Sequence, residues 1–317
     1  MTQDAAVRPS SAIFAAAVTL TPCAPQHLDV AFTATTQDCP WPKSYGGDLV
    51  AQGAAAAMRS VTDGKTLHST HSYFLRPVDV GAEVRYEVEL VRDGRGYSNR
   101  HVRAYQGGKV VYIGLAGFAA GEAGATWDPG LAASPFDPDR PDAQDLPDPE
   151  DLPDAASYLA GRHGGTMTDG SKAYWSAGRG FDMRHVPGPV YLAVEGERAP
   201  HQAVWVKPFD ALRPVDGLTA PQRDLAALAY VCDYTILEPV LRVLGLAWAR
   251  PGLGTASLDH AMWFARAPRP GEVDDWLLYV QAAAAAGAGR GLGTGRFLTR
   301  DRQLLATVVQ EGLIRAA

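Results

Sequence analysis

The sequence predicts an α+β fold made of two copies of one unit. In each copy an antiparallel sheet wraps around a central helix, and the two sheets join into one long sheet. Three observations carry this: helical segments that are apolar or small on every face, strand segments that alternate with period two, and blocks of the first half that return in order in the second. A helix without a polar face has to be covered all round, and a sheet with one apolar face can provide the cover. A free sheet edge invites unwanted pairing, so the two copies are expected to meet edge to edge.

In the first copy, "GGDLVAQGAAAAMRSV" (Gly46 to Val61) reads as the helix of small residues. "AEVRYEVELVRDG" follows, with Val84, Tyr86, Val88 and Leu90 alternating against Glu83, Arg85, Glu87 and Glu89, a strand with one wet face. "YSNRHVRAYQGGKVVYIGLAGF" (Tyr97 to Phe118) carries Gly107-Gly108 at its centre and reads as a hairpin. In the second copy the apolar run "LAALAYVCDYTIL" (Leu225 to Leu237) stands where the first helix stood. "MWFAR" (Met262 to Arg266) answers "SYFLR" (Ser72 to Arg76), and "RGLGTGRFLTRDRQLLATVVQEGL" (Arg290 to Leu313) answers "RGYSNRHVRAYQGGKVVYIGLAGF" (Arg95 to Phe118), with Arg-Gly opening both. "QAAAAAGAG" (Gln281 to Gly289) looks helical by its alanine content, but the repeat pairs it with Glu89 to Gly94 and predicts strand. Between the copies, "DPDRPDAQDLPDPEDLPDAAS" (Asp137 to Ser157) is rich in Pro and Asp and reads as a solvated linker. The expected division is residues 1–122, a linker over 123–170, and residues 171–317.

Composition narrows the function. The 317 residues are 46% hydrophobic and 20% charged, which is globular. Lys+Arg 29 against Asp+Glu 35 gives a net charge of -6, which argues against a nucleic-acid partner. Three cysteines, Cys23, Cys39 and Cys232, cannot all pair and show no metal-ligand spacing, which suits a reducing cytoplasm and no zinc site; no metal or cofactor is expected. Ala12 to Gln26 is apolar but has a thin basic region and no small-residue cleavage pattern, so it is not read as a signal peptide. No apolar run reaches the ~18 residues of a membrane span.

One residue conflicts with its surroundings. Asp233 lies inside the apolar run, where an unpaired carboxylate costs roughly several kcal/mol. It could mark a helix break, because Pro239 would clash with the carbonyl of Thr235 in a continuous helix; or it could be functional. Cys232 beside it reads as a buried structural cysteine, with no histidine near it in sequence. His68, His71 and His260 fall at strand starts without ligand spacing and read as structural or pocket-lining. "GAGRGLGTG" (Gly287 to Gly295) lacks the Lys-Ser/Thr ending of a phosphate loop.

Five ordered blocks, "YGGDLV" (Tyr45 to Val50), "HSTHSYFLRPVD" (His68 to Asp79), "YVCDYTIL" (Tyr230 to Leu237), "SLDHAMWF" (Ser257 to Phe264) and "TVVQEGLIR" (Thr307 to Arg315), resemble the acyl-CoA thioesterase II family. The resemblance implies a double-hotdog fold and hydrolysis of acyl-CoA. It also implies a catalytic set of Asp233 on the second-copy helix, Ser257 opening the next strand and Gln310 on the last strand. Ser257 stands where bacterial members of the family have Thr; both offer a hydroxyl. Asp48 stands where the family commonly has Gln, and with Gly46 and Gly47 it is the candidate substrate-binding stretch. The first copy has Ala116 where the second has Gln310, so one active site per chain is expected. A homo-oligomer is the family-level expectation.

A thioester needs a positioned water, a base near it and donors for the developing oxyanion. Asp233 could polarise the water, Gln310 could hold it, and Ser257 could bridge the two. Backbone N–H groups at a helix start, reached past "YGG", could bind the oxyanion. A hotdog hydratase would instead need an Asp/His pair on one helix, and the stretch after Asp233 contains no His. A non-catalytic acyl-CoA binder would make Asp48 and Ser257 signs of drift.

Overall fold

The first copy's central helix is long enough, and small enough on every face, to organise a sheet around itself. In the computed structural model, which describes residues 9–122, 124–160, 162 and 167–316, the first copy contains α1 (Ala12–Val18), β1 (Thr21–Cys23), β2 (Val30–Thr35), α2 (Gly46–Arg59), β3 (Thr66–Phe74), β4 (Glu83–Asp93), β5 (Tyr97–Gln106) and β6 (Lys109–Ala119). Short helices α3 (Ala155–Leu159) and α4 (Asp169–Ala173) lead into the second copy: β7 (Phe181–Val186), β8 (His201–Pro208), α5 (Ala220–Val231), α6 (Glu238–Leu244), β9 (Leu253–Ser257), β10 (Asp259–Phe264), β11 (Leu277–Gly287), β12 (Arg290–Leu298) and β13 (Leu304–Ala316). No helix among the described residues is long and apolar enough to cross a membrane.

The strands form one antiparallel sheet in the order β1-β2-β4-β5-β6-β3-β10-β13-β12-β11-β8-β7, with β9 also on β13. The order reads the same from both ends, copy against copy, and the seam is the β3–β10 pair. His71 faces Ala261 at that seam. His71 also faces Leu115 on β6, as Ala261 faces Val309 on β13. The register therefore matches Leu115 with Val309, and Ala116 with Gln310, as the repeat predicts.

β11 is strand through Ala282–Ala286. Alanine's helix preference is overridden because β12 satisfies the ladder along its length and β8 covers its first half. Both copies carry a register shift at the matching place, between Glu89 and Arg92 on β4 and between Ala283 and Ala285 on β11. The shift on β4 ends the alternation: Leu90 and Val91 are exposed. Glu87, expected on a wet face, is buried, because the backbone N–H groups of Gln26, His27 and Leu28 cover and satisfy it. The β5–β6 hairpin turns at Gly107 and Gly108, both at positive φ (56° and 73°), the conformation that favours glycine there.

α2 packs on β3, β4, β5 and β6, with Ala54 to Ala57 fully enclosed. In the second copy the apolar run is two helices, not one. α5 begins at a Thr219/Gln222 capping box and ends at Val231; a 3-10 turn, Cys232–Tyr234, intervenes, and α6 resumes at Glu238 with Pro239 in its first turn. α5 packs against α2, and α6 packs against β11 and β12. Asp233 thus lies in the break between helices rather than on one. Pro, which cannot follow an unbroken turn, sits where the helix can restart.

Part of the segment expected to be solvated is packed. Phe136 is buried with Trp205, Trp276 and Leu298. The Trp205 indole donates to the Pro147 carbonyl (3.0 Å), and the Arg184 guanidinium donates to the Pro149 carbonyl (2.6 Å). A Pro-rich backbone has carbonyls to spare, so it can lie along a sheet by accepting side-chain donors.

Candidate active site

The break after α5 points the Asp233 carboxylate at two strands. Ser257 Oγ donates to Asp233 Oδ1 at 2.9 Å, and Gln310 Nε2 donates to the same oxygen at 2.5 Å and to Ser257 Oγ at 3.1 Å. Ser257 was expected to open a strand; it ends β9 instead. Leu258 separates β9 from β10, and its N–H bonds the Glu311 carbonyl. Gln310 lies on β13 opposite Gly293. Its Oε1 is buried and has no hydrogen-bond partner among the described residues.

The first copy supplies the other side. A Cβ on Gly46 would stand 2.6 Å from Asp233 Oδ2, so the missing side chain there makes room for the carboxylate itself. Asp233 therefore meets the N-terminal end of α2, where unpaired backbone N–H groups favour an anion. Tyr45 stacks on Tyr234 with centroids 3.9 Å apart and donates its hydroxyl to the Tyr230 carbonyl at 2.5 Å. Burial pushes the Asp233 carboxyl up. Hydrogen bonds from Gln310 and Ser257, the charge of Lys43 and the Gly47 amide pull it part of the way back, and the net direction stays upward.

A cavity of about 780 Å³ opens at this point. Its wall includes Asp233, Ser257, Gly46, Lys43, Phe74, Tyr234 and Trp248, so both copies contribute. The volume is within the range of small-molecule sites. Among the described residues no group of three His, Cys, Asp or Glu side chains is placed to hold a metal ion.

Of the three candidate substrate-binding residues, only Gly46 lines the cavity. Gly47 is buried against the Tyr45 ring and the Tyr230 carbonyl. Asp48 is fully buried in the first turn of α2 and accepts from the Gln37 backbone N–H at 2.8 Å; its other oxygen has no partner among the described residues. Burial pushes its carboxyl up to about 8.

The fold also makes contacts that sequence distance hid. Cys232 Sγ lies 3.1 Å from His260 Nε2. The pair is not an activated thiolate: burial pushes the thiol well up and the imidazole down to about 3, so both are neutral. His71 is exposed and packs edge-on against Trp263. The Tyr279 hydroxyl holds the Cys232 carbonyl (3.2 Å), and Gln281 holds the Thr235 hydroxyl (2.7 Å), which fixes the turn from behind. No local pattern marks these residues, because β11 reaches the turn only in three dimensions.

A family model for the acyl-CoA thioesterase N-terminal domain matches residues 36–119, and one for the C-terminal domain matches residues 141–314. The chain is 30% identical over 290 residues to acyl-CoA thioesterase 2 of Haemophilus influenzae, covering 90% of this chain and 93% of that protein. It is 32% identical over 283 residues to acyl-coenzyme A thioesterase 8 of Homo sapiens, covering 87% and 82%. Its structure is similar to that of acyl-CoA thioesterase II TesB2 from Mycobacterium marinum, with a TM-score of 0.69, 30% identity, and 95% and 97% of the two chains covered. A hot dog fold protein of unknown function from Alicyclobacillus acidocaldarius shares the fold at 19% identity, with a TM-score of 0.69 and 96% and 98% covered. The chain belongs to the acyl-CoA thioesterase family.

Proposed function

We propose that the chain hydrolyses acyl-CoA to the free acid and CoA by direct attack of water, with no covalent intermediate. The observation that carries this is the convergence of Ser257 and Gln310 on one oxygen of Asp233, with Asp233 and Ser257 in the wall of the cavity and Gln310 buried behind them. Asp233 Oδ2 and Gln310 Oε1 are two acceptors for the two hydrogens of one water, which would turn its lone pair toward the thioester carbon. Water oxygen bonds to that carbon, a proton passes to Asp233, and the C–S bond breaks as the thiolate leaves and takes the proton. The Gly46 N–H at the start of α2 is the oxyanion donor in this reading. A hydratase reading is less well supported, since His260 faces Cys232 rather than Asp233.

The same proposal divides the chain into hotdog units at 1–122 and 171–317 with 123–170 between them. It places the chain in the cytoplasm, which suits the unpaired Cys23, Cys39 and Cys232. It makes the chain a homo-oligomer, in keeping with Tyr73, Leu115 and Trp263, which are exposed near the seam of the sheet. Light scattering should give a multiple of the 33.7 kDa chain mass, and a monomer at micromolar concentration would refute that part. The function is tested by following CoA thiol release from a panel of acyl-CoA esters. Wild type should turn over, and folded Asp233→Asn should lose about 10²–10⁴ in rate. A folded Asp233→Asn protein with wild-type turnover overturns the mechanism.

A further inference from the structure

Lys43 stands in the loop entering α2, partly buried in the cavity wall. Its Nζ donates to the Thr255 carbonyl on β9, the strand that ends in Ser257. Burial lowers the affinity of this amine for its proton, and the Asp233 carboxylate opposes that effect. The coupling is mutual, since Lys43 favours the ionised form of Asp233. Other titratable groups that act on Asp233 are acids: Tyr45 before α2, Asp48 on α2, Cys232 on the same turn and Tyr279 on β11. His260 on β10, behind Cys232, is neutral. Among the described residues two other basic ones line the wall: Arg76, which is engaged with the Val110 carbonyl, and Arg250, which follows α6.

We propose that Lys43 is a positioning residue for the hydrolysis: its ammonium, anchored on the Thr255 carbonyl, is the counter-charge that keeps Asp233 ionised in the cavity wall. This rests on the reading of Asp233 as the base. The base works only when ionised, so activity falls as pH drops through its pKa. A nearby cation moves that fall to lower pH, and removing the cation moves it up. The first copy would then tune the base of the second.

The test is the pH profile of kcat/KM for an acyl-CoA, followed by loss of thioester absorbance. Lys43→Gln keeps a donor for the Thr255 carbonyl and loses the charge; Lys43→Arg keeps both. The acid limb of Lys43→Gln should move up by about one pH unit, so that its rate low on that limb drops about tenfold while the alkaline plateau stays within about threefold. Lys43→Arg should keep the wild-type limb. If Lys43→Gln does not fold, Lys43→Met is read the same way. An unmoved acid limb in the neutral variant, whether or not the plateau falls, overturns the proposal. It leaves Asp233 as base untouched, because that reading stands or falls on Asp233→Asn.

Discussion

The two copies place a carboxylate at matching points and treat it in opposite ways. Tyr45-Gly-Gly-Asp48 opens the helix wrapped by the first sheet, and Tyr230-Val-Cys-Asp233 leads into the helix packed on the second. Asp233 has Ser257, Gln310, an α2 N-terminus and a lysine; Asp48 has the Gln37 N–H and an unpartnered oxygen. Ala116 stands where Gln310 would be needed to complete the first site. A carboxyl in an apolar interior becomes a base only when its surroundings stabilise the charge; otherwise it keeps its proton.

The most severe test of that contrast is the pair of Asn variants. Against the large loss expected for Asp233→Asn, Asp48→Asn should hold turnover within about threefold, since Asp48 lies off the cavity wall and its carboxyl is held by the Gln37 N–H rather than by Asp233, Ser257 or Gln310. A comparable loss in both would erase the distinction. Gln310→Ala comes next, with an expected loss of about 10²–10³ in kcat, on the scale of a lost preorganised donor. The converse change, Ala116→Gln, should add no second activity. Combined with Asp233→Asn, Gln310→Ala should cost little more, because both act on one water.

Stability against pH separates the two carboxyls further. Asp48 is protonated in the fold up to about pH 8, whereas the unfolded chain ionises it near about pH 4. Between those values the folded state binds more protons, so this group makes stability fall as pH rises, with the loss complete above the folded pKa. Asp48→Asn removes that slope. In calorimetry its Tm advantage over wild type should grow from pH 5 to pH 8 and then level off, if Asn fits the same pocket. A constant offset would mean that Asp48 is already ionised. The smallest effect is expected at Cys232→Ala: turnover should stay within about twofold to threefold, with some loss of stability from the vacated volume. Abolished turnover in folded Cys232→Ala would falsify the direct-water route.

Much of this protein could be read from its chain. The ordered blocks place two copies, and the register at His71 and Ala261 sets Ala116 against Gln310; it sets Arg290 against Tyr97, two residues on from the Arg95 with which the blocks align it. The repeat also outweighs alanine propensity over Ala282–Ala286, because strand identity there is fixed by partners on β12 and not by the local residues. Pro239 marks the helix break. Family resemblance brings Asp233, Ser257 and Gln310 into one set, and their contacts are direct.

What the chain could not state is what packs across the seam. The room at Gly46, the charge of Lys43 and the start of α2 reach Asp233 from the other copy, and His260 reaches Cys232 from β10. Period and propensity act over a few residues and report which face a side chain takes. Which groups meet on that face depends on how α2 docks against α5 and the turn that follows it, and only the tertiary structure sets that.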